Sequence, residues 1–406
     1  MPEVSVIIPV YNHDQFIEEA IQSVLIQTFQ DFEIIIINDA STDNTSIEIA
    51  KFNDPRIKVY NLEKNSGISF SMNYGINHSI GKYIAHLNAD DVFLPEKLKK
   101  QIDFLKENPN FAAVFTNVEV ITESGDLFSD ESHFYHNIFN QPNRNKYEWL
   151  NYFFYKGNCL CHPSVIIHRK CLEECGFYDL RFHCMQDVET WVRLVKKYDI
   201  HIIQEKLTKF RVFNKGNSTK ELAGQIMYVW EFTKILEHYL DISVEQLEKI
   251  FPDIRKLYNP LDKALGPYYI ADLALKVNSP IHNHFALETL YNVFNDKEKI
   301  KTLIDTYNIN SQEFIRLTGN LDIFNTISHN LLQQKTHEID IKDRVIMENN
   351  SIIQEKEKII RTVLNSASWK LTNPLRWFHS SFLHLFNLLI SNYKKMTLSS
   401  YRSKPN

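Results

Sequence analysis

Val4-Ser5-Val6-Ile7-Ile8-Pro9 is a short, almost continuously apolar run, the pattern of a strand buried on both faces of a parallel sheet. Phe16 to Leu25 then repeats its apolar residues at intervals of three and four, which predicts a helix. The alternation continues. Phe32 to Ile37 reads as a second buried strand, Thr45 to Phe52 as a helix, and Ile57 to Leu62 as a third strand. Ser69 to Asn77 reads as a helix and Tyr83 to Leu87 as a fourth strand. Such an order implies right-handed crossovers and a parallel sheet covered by helices on both faces. Sheets of this kind bind ligands beyond the carboxyl ends of their strands, so the loops at those ends come first.

Those loops are Pro9-Val10-Tyr11-Asn12, Asn38-Asp39-Ala40-Ser41-Thr42-Asp43, Asn65-Ser66-Gly67 and Asn88-Ala89-Asp90-Asp91. Polar and acidic residues therefore gather at one rim. Helix capping accounts for Asp43 and Ser41, but not for adjacent acids at Asp90-Asp91. Paired carboxylates after a buried strand suit a hard divalent cation, Mn²⁺ or Mg²⁺, held against phosphate oxygens. A cation there offsets charge on a departing nucleotide.

Composition narrows the remainder. The 406 residues are 44% hydrophobic and 23% charged, enough for two or more cores. With 45 Lys+Arg against 50 Asp+Glu the formal charge is −5, which disfavours a nucleic-acid partner recruited by bulk positive charge. No apolar run approaches the ~20 residues that span a bilayer. An acidic Glu3 stands where a signal peptide needs basic residues, so the expected location is cytoplasmic. Cys159, Cys161, Cys171, Cys175 and Cys184 cluster with His162, His168 and His183. Cys159-Leu160-Cys161 is too tight for the usual zinc knuckle, so reduced thiols are favoured over a metal site.

Further along, Phe111 to Ile121 reads as a strand, 122–146 as a polar loop, Pro163 to Ile167 as a strand and Val188 to Tyr198 as an amphipathic helix. From Leu222 to about Leu317 the pattern is helical. Leu332, Ile339, Ile346, Ile353 and Ile360 then recur every seventh residue, with Val345, Ile352 and Ile359 beside them, giving a long helix with one apolar seam. Lys342, Asn349 and Lys356 hold the partner heptad positions, so the seam is not a strong coiled coil by itself. The organisation expected is a sheet domain at 1–217, a helical region at 218–328, the heptad helix at 329–365 and a C-terminal segment at 366–406.

Val6-Ile7-Ile8-Pro9-Val10-Tyr11-Asn12, Ile37-Asn38-Asp39-Ala40-Ser41-Thr42-Asp43, Asn65-Ser66-Gly67-Ile68, Asn73-Tyr74-Gly75-Ile76 and Leu87-Asn88-Ala89-Asp90-Asp91 stand in one order. Together they resemble the family-2 glycosyltransferases of the GT-A fold, over roughly Val4 to Asn214. The resemblance implies an α/β, Rossmann-like, mostly parallel sheet, and inverting transfer from a nucleotide-sugar. It implies that Pro9 and Tyr11 line the base pocket, and that Asp39 accepts the imide N–H of uracil. Thymine satisfies the same contact, so UDP is preferred over dTDP without exclusion. It further implies that Asn65 and Gly67 belong to the nucleotide loop, that Asp90 meets the ribose, and that Asp91 meets the metal on the diphosphate.

Met185-Gln186-Asp187-Val188-Glu189-Thr190-Trp191 resembles the family's acidic element, making Asp187 the base that takes the acceptor hydroxyl's proton. The resemblance puts His162 and Trp191 on the acceptor side, with a partly buried structural histidine as the equal alternative for His162, and Arg211 in the element that closes over the nucleotide, with the loop from Asn214 to Thr219 as a lid. Two residues depart from the family pattern. Asn88 replaces a frequent Asp, and Met72 replaces a basic residue expected to meet the diphosphate, a contact that Lys64 or Arg211 would then supply.

The segment Ser366 to Arg376 resembles the tail of bacterial polysaccharide glycosyltransferases, and 374–396 mixes aromatics, Leu and flanking lysines as an interfacial helix does. The expected partners are a UDP-sugar and a glycan or lipid-linked glycan. Self-association through 332–364 and peripheral contact of 374–396 with the inner face of the cell membrane are candidates. A nucleotidyltransferase would want a glycine-rich basic loop where Pro9-Val10-Tyr11-Asn12-His13 stands. The other rival is a weak or inactive GT-A assembly protein that recruits partners through its C-terminal helix, for which Met72 and Asn88 are the sequence support. A processive synthase would ordinarily carry its own membrane spans.

Overall fold

A computed structural model of the chain describes residues 1–131, 133–213, 222–323, 326–366 and 382–388. The apolar runs form strands β1 (Val4–Val10), β2 (Phe32–Asn38), β3 (Ile57–Asn61) and β4 (Tyr83–His86). These four are mutually parallel, with β1 at the centre. Every residue of β2 is buried, as a strand covered on both faces requires. Their crossovers are α1 (Ile17–Leu25), α2 (Thr45–Ala50) and α3 (Ile68–Asn77).

After β4 come β5 (Val92–Phe93), α4 (Lys97–Glu107), β6 (Phe111–Ile121), α5 (Lys146–Lys156), β7 (Ile166–His168), α6 (Arg169–Cys175), α7 (Gln186–Lys197) and β8 (Asp199–Arg211). Among the described residues the sheet has eight strands, in the order β3-β2-β1-β4-β7-β6-β8-β5. The expected α/β sheet of GT-A type is present, parallel through its first four strands and mixed beyond them. Strand β7 runs antiparallel to β4 and β6, and β5 antiparallel to β8. The run at Pro163 forms a 3₁₀ turn over His162–Ser164, and the strand begins two residues later. Two strands escaped the sequence reading. β5 is two residues long, and β8 carries an exposed stretch at Gln204, Glu205 and Lys206 that interrupts its apolar alternation.

Helices α8 (Leu222–Leu236), α9 (Val244–Ile250), α10 (Ile254–Leu257), α11 (Gly266–Val277), α12 (Pro280–Val293), α13 (Lys297–Tyr307) and α14 (Ser311–Asn320) follow. They share one hydrophobic core with a face of the sheet: Trp149, Phe154, Trp191, Tyr239, Phe251 and Phe285 belong to a single cluster. Contacts divide the chain into Met1–Ile323 and Phe324–Asn406. The second unit contains α15 (Thr326–Asn365), a 40-residue helix on which Ile339, Val345, Ile346, Ile352 and Ile359 are exposed. Among the described residues, no helix is long and apolar enough to cross a membrane. The loop at 214–221, the Ser366–Arg376 resemblance beyond Ser366 and most of 374–396 lie outside the described residues.

Candidate active site

The parallel register brings the strand ends to one rim. Val10 pairs with Asn38, and the Asp39 amide donates to the Val10 carbonyl at 2.8 Å. The loop after β1 then knits its neighbours together. Ser41 Oγ accepts from the Asn12 amide at 3.0 Å, Asn12 Oδ1 accepts from the Thr42 amide at 2.8 Å, and Thr45 Oγ1 accepts from the His13 amide at 3.0 Å. On its other side His13 Nε2 stands 3.9 Å from Asp90 Oδ2. Tyr11 exposes its ring (42%), and Pro9 is half-buried.

Asp39 is buried and grips the next loop with both oxygens. Oδ1 accepts from the Ser66 amide at 2.7 Å, and Oδ2 from the Gly67 amide at 2.9 Å. Gly67 has φ +86° and ψ 162°, a conformation essentially reserved for glycine. Asn65 is exposed beside it, and so is Lys64. The Asp39 carboxylate thus builds the loop expected to hold nucleotide, and each oxygen keeps a second lone pair for a ligand.

Asp91 is buried. Oδ1 accepts from the Arg211 amide and Oδ2 from the Asn88 side-chain amide, both at 2.8 Å. Burial, then the neighbouring Asp90, pushes its carboxyl well above the usual range. Asp90 is raised too, chiefly by burial, with His13 and Arg211 opposing. Two adjacent acids that resist ionising together are what a divalent cation would relieve. Their all-oxygen donor set fits Mn²⁺ or Mg²⁺ completed by phosphate and water, although among the described residues no three His, Cys, Asp or Glu side chains assemble into a metal cage.

Asp187 lies in the first turn of α7. Oδ1 accepts from the Val188 amide at 2.7 Å, and Oδ2 from Asn158 Nδ2 at 2.6 Å. Burial pushes its carboxyl up to about 6, with Glu231 adding to the rise and those two hydrogen bonds opposing it. A base needs a value of this order, near the working pH. Asp91 and Asp187 are linked through one buried thiol. Both act on the buried Cys161 thiol, which burial first and then these charges push far up. Cys159 is likewise pushed up to about 12 by burial, so both thiols stay protonated.

Four expectations need correction. The Arg211 guanidinium is buried and committed. Nε donates to the Asp90 carbonyl at 2.8 Å, Nη1 to the Thr122 and Glu123 carbonyls at 3.2 and 2.9 Å, and Nη2 to Glu19 Oε2 at 2.6 Å. It organises the rim rather than reaching for phosphate. Trp191 has no accessible surface and packs edge-on against Phe115, so it cannot touch an acceptor. His162 is buried, with Nε2 2.7 Å from the Tyr178 hydroxyl and its ring 3.7 Å from that of His86. A sugar would have to displace Tyr178 to reach that nitrogen. Met72 is wholly buried in the core, so a cation at that position of this chain would enter the core and not meet a diphosphate.

Other residues matter here that the sequence reading gave no role. Asn158 orients Asp187, and Asn73 locks α3 to the loop before α7 through the Tyr178 carbonyl (2.7 Å) and amide (3.0 Å). Asn73 opens the run Asn73-Tyr74-Gly75-Ile76, a local sequence signal. Asn158 carries no local signal.

Carboxylates fixed beyond β2 and β4, with a raised acid in the first turn of α7, are the arrangement expected of a GT-A glycosyltransferase. Residues 5–175 match the family model described as glycosyl transferase family 2. The chain is 32% identical over 232 residues to an uncharacterised glycosyltransferase of Methanocaldococcus jannaschii, covering 56% of this chain and 77% of that one. It is 30% identical over 223 residues to a putative teichuronic acid biosynthesis glycosyltransferase, TuaG, of Bacillus subtilis, covering 54% and 83%. The solved structure of residues 1–349 of Staphylococcus aureus TarS superposes with a TM-score of 0.49 at 18% identity, covering 76% of this chain and 91% of that chain. The chain belongs to glycosyltransferase family 2.

Proposed function

We propose that the chain transfers a sugar from a UDP-sugar to a surface-polysaccharide or glycolipid acceptor, with inversion, by direct displacement. The observation that carries this is Asp187, a carboxyl raised to about 6, held by Asn158 and the Val188 amide and acting on the same buried Cys161 thiol as Asp91. The TuaG likeness supports a polysaccharide pathway. Asp187 would take the proton of the acceptor hydroxyl as that oxygen attacks the anomeric carbon. Asp39 and the Ser66–Gly67 amides would define the nucleotide loop, with Tyr11 offering a stacking face. Asp91, with Asp90, would hold Mn²⁺ or Mg²⁺, whose charge would offset that of the leaving diphosphate.

The assembly-protein reading loses its sequence support. Met72 is a core residue, and Asn88 donates to Asp91. Its remaining motive is the exposed seam of α15, which is also the basis for proposing self-association through 332–364. Peripheral membrane contact through 374–396 rests on sequence, with Phe382, Leu385 and Leu388 exposed in its described part. The test is release of UDP from a panel of UDP-sugars with Mn²⁺. Asp187→Asn is expected to lower it at least ~10²-fold, and turnover unchanged in that variant would remove the proposal.

A further inference from the structure

Glu231 lies on α8, 44 residues beyond Asp187, in the apolar setting Tyr228-Val229-Trp230-Glu231-Phe232. It is buried at 4% exposure, and among the described residues no cation pairs with it. Its carboxylate instead accepts three consecutive backbone amides. His183 N donates to Oε1 at 2.8 Å, while Cys184 N and Met185 N donate to Oε2 at 2.9 and 2.8 Å. A buried carboxylate answered only by amides is costly to place unless each bond is made. These amides end at the residue that precedes α7, two positions before Asp187.

The same helix also packs beside the segment that carries Asn158, the side-chain partner of Asp187. A Cβ on Gly157 would lie 3.4 Å from Tyr228 Oη and 3.6 Å from the Phe232 ring, and Gly157 immediately precedes Asn158. Helix α8 therefore abuts both segments that aim the acid.

We propose that Glu231 is a positioning residue for the transfer reaction: by holding the 183–185 amides it sets the orientation of Asp187 from the helical region. The inference rests on Asp187 being the base. Besides Asn158 and the Val188 amide, the ionisable groups facing Asp187 are Glu231 on α8, Tyr178 on the loop before α7 and Cys161 before β7. Burial holds the Tyr178 hydroxyl and the Cys161 thiol protonated, whereas Glu231 adds to the rise of the Asp187 carboxyl, so neutralising Glu231 eases ionisation of Asp187.

The experiment compares full-length wild type, Glu231→Gln, Glu231→Asp and Asp187→Asn in UDP release with Mn²⁺ between pH 4.5 and 8. Hydrogen exchange across 183–185 is followed in parallel. Glu231→Gln is expected to lower kcat about 10²-fold with donor KM within about twofold, and to move the acidic limb of the pH profile downward. Exchange at 183–185 should quicken about tenfold or more. Glu231→Asp, which keeps the charge, should restore the limb and part of kcat. Unchanged exchange in Glu231→Gln, or a loss of kcat with the limb fixed, would overturn the role of Glu231 while leaving Asp187 as the base. Full activity in Asp187→Asn would instead overturn the base assignment, and this inference with it.

Discussion

Acidifying the assay is the sharpest probe of Asp187. Its carboxyl is raised from 3.8 to about 6, so the site disfavours the charged form by about 3 kcal/mol. Only the ionised form can accept a proton. At pH 7 about ten molecules in eleven carry it, and at pH 5 about one in eleven, so kcat/KM should fall about tenfold between them. An ordinary carboxyl at 3.8 would lose under about a tenth of its activity over the same interval. The measurement is initial UDP release at donor concentrations below KM, at constant ionic strength and saturating Mn²⁺. Asp90 and Asp91 are also raised and could impose their own limb. Protons and cation compete for that pair, however, so its limb would move down as Mn²⁺ is increased, whereas that of Asp187 would stay. A limb at or below pH 4, or one that follows the Mn²⁺ concentration, would refute the assignment.

Two further outcomes follow from the packing. Met72→Lys places an ammonium where there is no accessible surface and should cost about 3 kcal/mol or more in a denaturant titration; a lower donor KM with stability intact would contradict the core placement. Gly67→Ala meets no obstruction, its nearest neighbour being His183 Nδ1 at 4.0 Å, but φ +86° strains any Cβ. A cost of about 1–3 kcal/mol is expected, along with weaker UDP binding by calorimetry, and unaltered affinity would detach that loop from the nucleotide.

The buried runs Val4–Pro9 and Phe32–Ile37 announced their strands because a sheet covered on both faces needs uninterrupted apolar residues. Asp39, Asp90 and Asp91 were legible for a related reason, since parallel topology puts loops after strands on one rim. Where side chains point was less accessible. Trp191 and Met72 occupy positions that periodicity assigns to a helix but not to a depth. The Arg211 contacts depend on carbonyls at 90, 122 and 123, which residue type does not encode. Glu231 was invisible in sequence because its partners are main-chain amides 46 to 48 residues away. Its one trace was an acid in an otherwise apolar stretch of helix. Strand β8 was missed because irregular register against β6 and an exposed middle broke the alternation.

The shared core governs how the chain can be dismantled. Phe154 meets the rings of Tyr239, Phe251 and His282 edge-on. Tyr239 Oη donates to the Leu150 carbonyl at 2.7 Å, and Asn151 Nδ2 donates to that of Ile250 at 2.8 Å. Excising everything past residue 217 would strip α5 of these partners and bare a sheet-side surface of aromatic rings, an aggregation hazard. Chimeras meant to exchange sugar preference would do better to move the first 323 residues as one block. Swapping the sheet alone would first select for a repaired interior, and only later for a new glycan.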